Sequence, residues 1–175
     1  LGLLRIFGRD LSRAEEIVDR LPAQPFRARF KPGIYEGQGK SQRVAYFVGC
    51  GVDVVSHAAG EATLSLLRRF ARSVQVLDNN CCGLPAWSYG DLPAARKLAG
   101  KNLPMLAADG IDAIVTDCSS CTGFIKKYPR LFPENDPQRK TAESIAARAR
   151  DVATASEPCR PTTCVMPFAR SPGST

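Results

Sequence analysis

At 175 residues with ordinary apolar and charged fractions, the chain has the length of one domain with a closed hydrophobic core, which excludes a disordered or fibrous polypeptide. The formal charge of +7 is spread over blocks of no more than two consecutive basic residues without interleaved aromatics, which excludes a nucleic-acid platform. No apolar run approaches the roughly 20 residues of a membrane helix, and no secretory signal pattern opens the chain, so a cytoplasmic protein without a membrane span is expected.

In chain order, Ser12 is positioned to cap a short helix through Glu15, Glu16, Ile17 and Val18 to Leu21, stopped by Pro22. From Pro25 to Lys40 neither helical nor strand period is present, so this stretch reads as an extended connector whose exposed Phe26 and Phe30 pack on a neighbour. Arg43 to Val48 is a buried strand candidate ending at Gly49-Cys50. Asp53 is the expected cap of the next helix, with Val55, Ala58, Ala59, Ala62, Leu66, Leu67 and Phe70 as its apolar face. His57 falls on this helix and reads as an ordinary helix residue. A second strand, Val74 to Asp78, ends at Cys81-Cys82-Gly83. The following helix starts near Asp91 with Pro93 in its first turn and carries Ala95, Leu98, Ala99, Leu103 and Leu106, and Pro104 is expected to kink or split it. Ile111 to Thr116 is the third strand, and Ser119 or Ser120 begins a shorter helix.

Strand and helix alternate three times, which predicts an α/β fold, a Rossmann-like three-layer unit with a short parallel sheet. Five cysteines, Cys50, Cys81, Cys82, Cys118 and Cys121, each follow the carboxyl end of one of the three strands. In an open α/β sheet those ends share one edge, where ligands bind. Adjacent thiolates repel one another and lose solvation, and a soft cation or iron–sulfur core removes both objections. Residue spacing alone leaves three readings open. An iron–sulfur cluster is favoured, because zinc needs only four ligands. A dithiol pair at Cys118-x-x-Cys121 is the third. The seven cysteines are odd in number, which disfavours a disulfide framework. No Ser/His/Asp set, phosphate loop or carboxylate pair points to hydrolase or kinase chemistry.

The order Cys50, thirty residues, Cys81-Cys82-Gly83, thirty-four residues, Cys118-Ser-Ser-Cys121 resembles the cysteine-rich CCG domain of iron–sulfur oxidoreductase subunits. That family includes the iron–sulfur subunit of glycolate oxidase, the lactate-utilisation iron–sulfur protein, the iron–sulfur subunit of anaerobic glycerol-3-phosphate dehydrogenase and the CCG-containing subunit of heterodisulfide reductase. Val44-Ala-Tyr-Phe-Val-Gly-Cys50, Cys81-Cys-Gly-Leu-Pro85, Gly90-Asp91-Leu92 and Tyr128-Pro129-Arg130-Leu131 extend the similarity over about residues 25 to 152.

The resemblance implies that Cys50, Cys81, Cys82, Cys118 and Cys121 are the cluster ligands, with a 4Fe–4S cluster as cofactor and zinc as the alternative. Gly83 would let the backbone pass close to the cluster, Pro85 would stiffen the exit, and Trp87 and Tyr89 would shield it or pack in the core. It further implies an electron-transfer module of a flavin-linked oxidoreductase acting on glycolate, lactate or glycerol-3-phosphate, not catalytic alone. A flavoprotein dehydrogenase subunit and a ferredoxin-like segment or subunit would be its partners, with a second CCG domain beside it and peripheral attachment to the inner membrane face through them. Heterodisulfide reductase-like thiol chemistry and a structural zinc module are the alternatives. The expected organisation is a leading helix and connector over 1–42, the CCG domain over 43–150, and a disordered or aberrant tail over 151–175. Cys159 and Cys164, in that tail, do not fit a second motif. Lys126 and Lys127 read as a solvated helix face.

Overall fold

Along the first parallel strand, side chains alternate between two apolar environments. Val44, Tyr46 and Val48 pack into one cluster and Ala45 and Phe47 into another, all 2% exposed or less. A strand apolar on both faces has to be covered on both, which is the three-layer arrangement. The computed structural model describes residues 23–155. The helix expected at Ser12–Leu21, the remainder of the tail, Cys159 and Cys164 lie outside the described residues.

Among the described residues five strands form the sheet: β1 (Gly33–Glu36), β2 (Arg43–Tyr46), β3 (Ser73–Val76), β4 (Ala113–Thr116) and β5 (Ala149–Asp151), in the order β1-β3-β2-β4-β5. Val44 is opposite Val74, and Tyr46 opposite Val76 on one side and Val115 on the other, all in parallel register. β5 is parallel to β4, and only β1 runs antiparallel, at the edge against β3.

Seven α-helices accompany these strands among the described residues: α1 (Phe26–Arg29), α2 (Cys50–Val54), α3 (His57–Phe70), α4 (Leu84–Ser88), α5 (Leu92–Leu106), α6 (Ser119–Ile125) and α7 (Pro137–Arg148). From β2 the chain crosses through α2 and α3 to β3 on one side, then through α4 and α5 to β4 on the other. Right-handed crossovers in opposite directions put α3 and α5 on opposite faces of the sheet, and their side chains accordingly belong to different core clusters. The chain order reverses between β2 and β4. The crevice beyond their carboxyl ends is the switch point at which such sheets bind ligands.

Several local expectations are corrected. The stretch from Pro25 to Lys40 holds α1 and β1 instead of an irregular connector. Tertiary burial supplies what the local pattern lacks, since Phe26 is fully buried against Tyr46 and Phe30. Asp53 does not cap α3. It lies inside α2, where its carboxylate takes Arg27, and Ser56 precedes α3 without a side-chain cap bond. The buried face of α3 is His57, Gly60, Thr63, Leu64 and Leu67, whereas Val55 and Leu66 are exposed. The rotation arises because Ala and Gly carry little hydrophobic signal, so the helix follows Leu64, Leu67 and Ala71 into the sheet. Pro104 does not split α5 into separate helices. It sits in the last turn facing solvent, where only the Gly100 carbonyl would lack its partner.

Helix α7 and strand β5 extend the fold beyond the three expected repeats. Asp136 caps α7 by accepting from the Gln138 amide at 2.9 Å, Pro137 occupies its first position, and Ala142 and Ile145 face the core. No helix among the described residues is long and apolar enough to cross a membrane.

Candidate metal centre

Each of the five cysteines is delivered by a strand end. Cys50 opens α2 just after β2, Cys81 and Cys82 lie in the loop between β3 and α4, Cys118 is the residue before α6, and Cys121 lies on the first turns of α6. All five are free thiols, with Cys50 exposed, Cys81 and Cys118 half-buried, and Cys82 and Cys121 buried.

Gly49 marks how closely the first and third loops approach. A Cβ built on it would stand 3.1 Å from Cys118 Cβ and 3.8 Å from Cys121 Sγ. Gly83 performs the corresponding service in the middle loop. It adopts φ +98°, and a Cβ there would stand 3.2 Å from the Ala95 carbonyl and 3.3 Å from Phe124. Only glycine enters this left-handed conformation without strain, so the vicinal pair can turn directly into α4.

Electrostatic coupling links the sulfurs into a chain. The Cys121 thiol donates to Cys82, which holds the Cys82 thiol down at about 6 against the opposing effect of burial, with the Leu84 amide and Cys81 adding to the lowering. That donation pushes Cys121 up, and burial and the Cys82 charge act in the same direction. Burial also raises Cys81; the Gly83 amide opposes this, while Cys82 and Cys50 reinforce it. One negative charge on the Cys82–Cys121 pair is stable, and further ionisation in this patch meets mutual repulsion. A soft multivalent cation or cluster is what such a donor set fits. As placed, no three His, Cys, Asp or Glu side chains among the described residues form a set that could hold one metal ion.

The surrounding polar residues were largely missed by sequence reasoning. Asn79, 4% exposed, accepts from the Val48 amide and donates to the Val48 carbonyl, both at 3.0 Å. Asn102 on α5 and Tyr128 in a 3-10 turn (Tyr128–Leu131) are fully buried beneath the vicinal cysteines. Tyr46 donates to Asp117 Oδ2, while Asp117 Oδ1 is buried without a hydrogen-bond partner. Burial raises the Asp117 pKa against the favourable Tyr46 bond and nearby amides. The signal for Asn79 and Asn102 was available in principle, since a buried amide must be satisfied and both stand beside strand or helix apolar positions.

Other expected roles resolve differently. Trp87 is half-buried and its ring packs 5.8 Å from that of Phe124, whereas Tyr89 is 91% exposed and belongs neither to a shield nor to the core. His57 is buried at the start of α3, with neither ring nitrogen hydrogen-bonded, and does not join the cysteines. Lys126 and Lys127 are exposed.

Residues 44–126 match the family model of the CCG cysteine-rich domain. The chain is 27% identical over 154 residues to the "Probable glycolate oxidase iron-sulfur subunit" of Bacillus subtilis, covering 86% of this chain and 34% of that protein. It is 38% identical over 100 residues to a fumarate reductase (CoM/CoB) subunit of Methanothermobacter marburgensis, covering 56% of this chain and 20% of the relative. To "Lactate utilization protein A" of Bacillus velezensis it is 30% identical over 112 residues, 63% and 46% of the two chains. The chain thus spans between a fifth and just under half of these relatives. No solved structure matches it significantly. Residues 44–126, with all five cysteines at the carboxyl edge of a mostly parallel sheet, are thus similar to the CCG cysteine-rich domain.

Proposed function

We propose that the unit over 43–150 holds an iron–sulfur cluster of the 4Fe–4S type on Cys50, Cys81, Cys82, Cys118 and Cys121, and serves as an electron relay. The observation that carries this reading is the convergence of five thiols from three strand ends on one switch-point crevice. The relatives whose names include an iron-sulfur subunit and a reductase subunit support a cluster over zinc. When bound, the cluster supplies a reversible one-electron acceptor. The chain's own part is to position the sulfurs, limit water, and direct backbone N–H groups at them.

In the complete assembly, a flavoprotein dehydrogenase subunit would oxidise a small 2-hydroxy acid, glycolate or lactate, or glycerol-3-phosphate, and pass electrons here. A ferredoxin-like segment or subunit and a second CCG domain would carry them onward, in the cytoplasm or at the inner membrane face through these partners. The glycolate and lactate proteins among the relatives favour a 2-hydroxy acid. A second reading, heterodisulfide reductase-like thiol–disulfide chemistry at the cluster, draws on the free Cys82 thiol that its neighbours hold down.

Anaerobic reconstitution with iron and sulfide, followed by iron and acid-labile sulfide analysis with visible and electron paramagnetic resonance spectra, tests the relay. Iron and sulfide bound together, and lost in Cys81→Ser or Cys82→Ser, are the expected result. Zinc alone, or no metal with a reversible disulfide, would remove it.

A further inference from the structure

The vicinal cysteines are held from beneath by their carbonyls. The Tyr128 hydroxyl donates to the Cys82 carbonyl at 2.9 Å, and Asn102 Nδ2 donates to the Cys81 carbonyl at 3.1 Å. Asn102 also accepts from the Asn80 amide at 2.9 Å, and its Nδ2 lies 3.4 Å from the Tyr128 oxygen. Both side chains are 0% exposed, so neither can exchange these partners for bulk water.

Peptide planarity converts these carbonyl contacts into a sulfur environment. No described peptide bond is cis, and in a trans peptide the C=O of one residue and the N–H of the next point in opposite directions. Holding the Cys82 carbonyl toward Tyr128 therefore turns the Gly83 amide away from Tyr128 and the core beneath it. Holding the Cys81 carbonyl toward Asn102 turns the Cys82 amide away from the core in the same way. Gly83 is left-handed, the conformation from which backbone nests for anionic groups are built.

We propose that Asn102 and Tyr128 are positioning residues that tune the redox potential of the bound cluster by orienting the Cys82 and Gly83 amides onto the sulfurs of Cys82 and Cys81. The inference rests on the cluster reading above. Tyr128 lies beyond the residues matched by the family model, so the site's supporting structure extends into the 3-10 turn that packs against α7. Hydrogen bonds to sulfur favour the reduced, more anionic state. Without the phenol, the Cys82 carbonyl is buried without its donor, and its peptide plane can rotate until the Gly83 amide leaves sulfur.

The experiment compares reconstituted wild type with Tyr128→Phe and with Ile145→Val, a core truncation on α7 whose side chain has no donor for a carbonyl and which serves as a control for lost stability. Tyr128→Phe is expected to shift the midpoint potential to a more negative value, alter the electron paramagnetic resonance signal, and release iron to a chelator about ten-fold faster. Ile145→Val is expected to lower the melting temperature while leaving all three readouts unmoved. Wild-type potential and iron release in Tyr128→Phe, or an equal shift in Ile145→Val, would overturn the proposal. If Tyr128→Phe does not fold, Asn102→Leu is judged by the same readouts. Failure of wild type itself to take up iron and sulfide defeats the cluster reading instead, so the two failures are distinguishable.

Discussion

Asn79 pairs with Val48 as another strand would: its Oδ1 accepts from the Val48 amide and its Nδ2 donates to the Val48 carbonyl, both at 3.0 Å. The parallel ladder between β2 and β3 ends with the Leu77 amide on the Tyr46 carbonyl. The carboxamide thus prolongs the pairing beyond the point where the β3 chain turns off toward Cys81. This joins the loop carrying Cys50 to the loop carrying the vicinal pair.

Asn79→Ala should therefore cost about 2–4 kcal/mol, since it leaves a buried donor and a buried acceptor unpaired. Asn79→Asp keeps the acceptor but sets a buried carboxylate oxygen against the Val48 and Asn80 carbonyls, so at neutral pH it should be at least as destabilised as Ala. Urea denaturation of the apo protein gives the ranking; an Ala variant as stable as wild type would show that water takes over both groups.

Gly83→Ala should destabilise by about 1–3 kcal/mol and reduce cluster retention. The left-handed backbone contributes roughly 1–2 kcal/mol of this, and the remainder comes from a methyl 3.2 Å from the Ala95 carbonyl and 3.3 Å from Phe124. Gly90→Ala is the informative comparison. Its φ is +83°, yet nothing lies within 4 Å of the added methyl, so it should show the backbone cost without the contact cost or the loss of iron. Thermal melts and iron content per chain check both.

Much of this arrangement is legible from residue order, and the remainder fails for identifiable reasons. Apolar runs such as Val44 to Val48 mark buried strands because both faces must be covered, and cysteines after each run then necessarily share an edge. α1 and β1 escape because four-residue elements carry no period, and Phe26 is made a core residue by Tyr46, which is distant in sequence. α7 was signalled by Asp136-Pro137 followed by Ala142, Ile145 and Ala149, but weakly, since its remaining residues are polar. The pins under the cysteines escape for another reason. A hydrogen bond from Tyr128 to the Cys82 carbonyl spans 46 residues and leaves no local pattern.

In the apo protein, Cys50 should alkylate first and Cys82 and Cys121 last. The depressed Cys82 thiol would react fast if reached, but at 4% exposure access governs the rate, as it does for Cys121. Cluster loading should then protect all five together. Timed alkylation with peptide mass mapping measures both patterns, and a Cys50 that stays reactive after loading would remove it from the ligand set.

Arg27 holds the leading segment onto the site from the opposite face. Its backbone amide, Nε and Nη2 all reach the Asp53 carboxylate at 2.8–3.1 Å, and its Nη1 donates to the Asn79 carbonyl at 2.6 Å. Burial works to raise the Asp53 pKa, but the hydrogen bonds and charge of Arg27 outweigh it, and the net direction is down. A carboxyl depressed in the folded state adds stability above its unfolded pKa of about 3.9, and that stability is lost as pH falls through the folded value. Arg27→Ala should thus cost about 2–3 kcal/mol at neutral pH, because Asp53 keeps its charge with little access to water. The deficit should begin to narrow as pH falls through the Asp53 pKa of the variant, which burial without Arg27 raises above the usual carboxylate value, and go on narrowing until the wild-type carboxyl protonates as well. Denaturant midpoints of the two apo proteins from pH 7 to pH 3 test this; parallel curves throughout would mean that Arg27 acts through its Asn79 contact and its packing, with no share from the Asp53 charge.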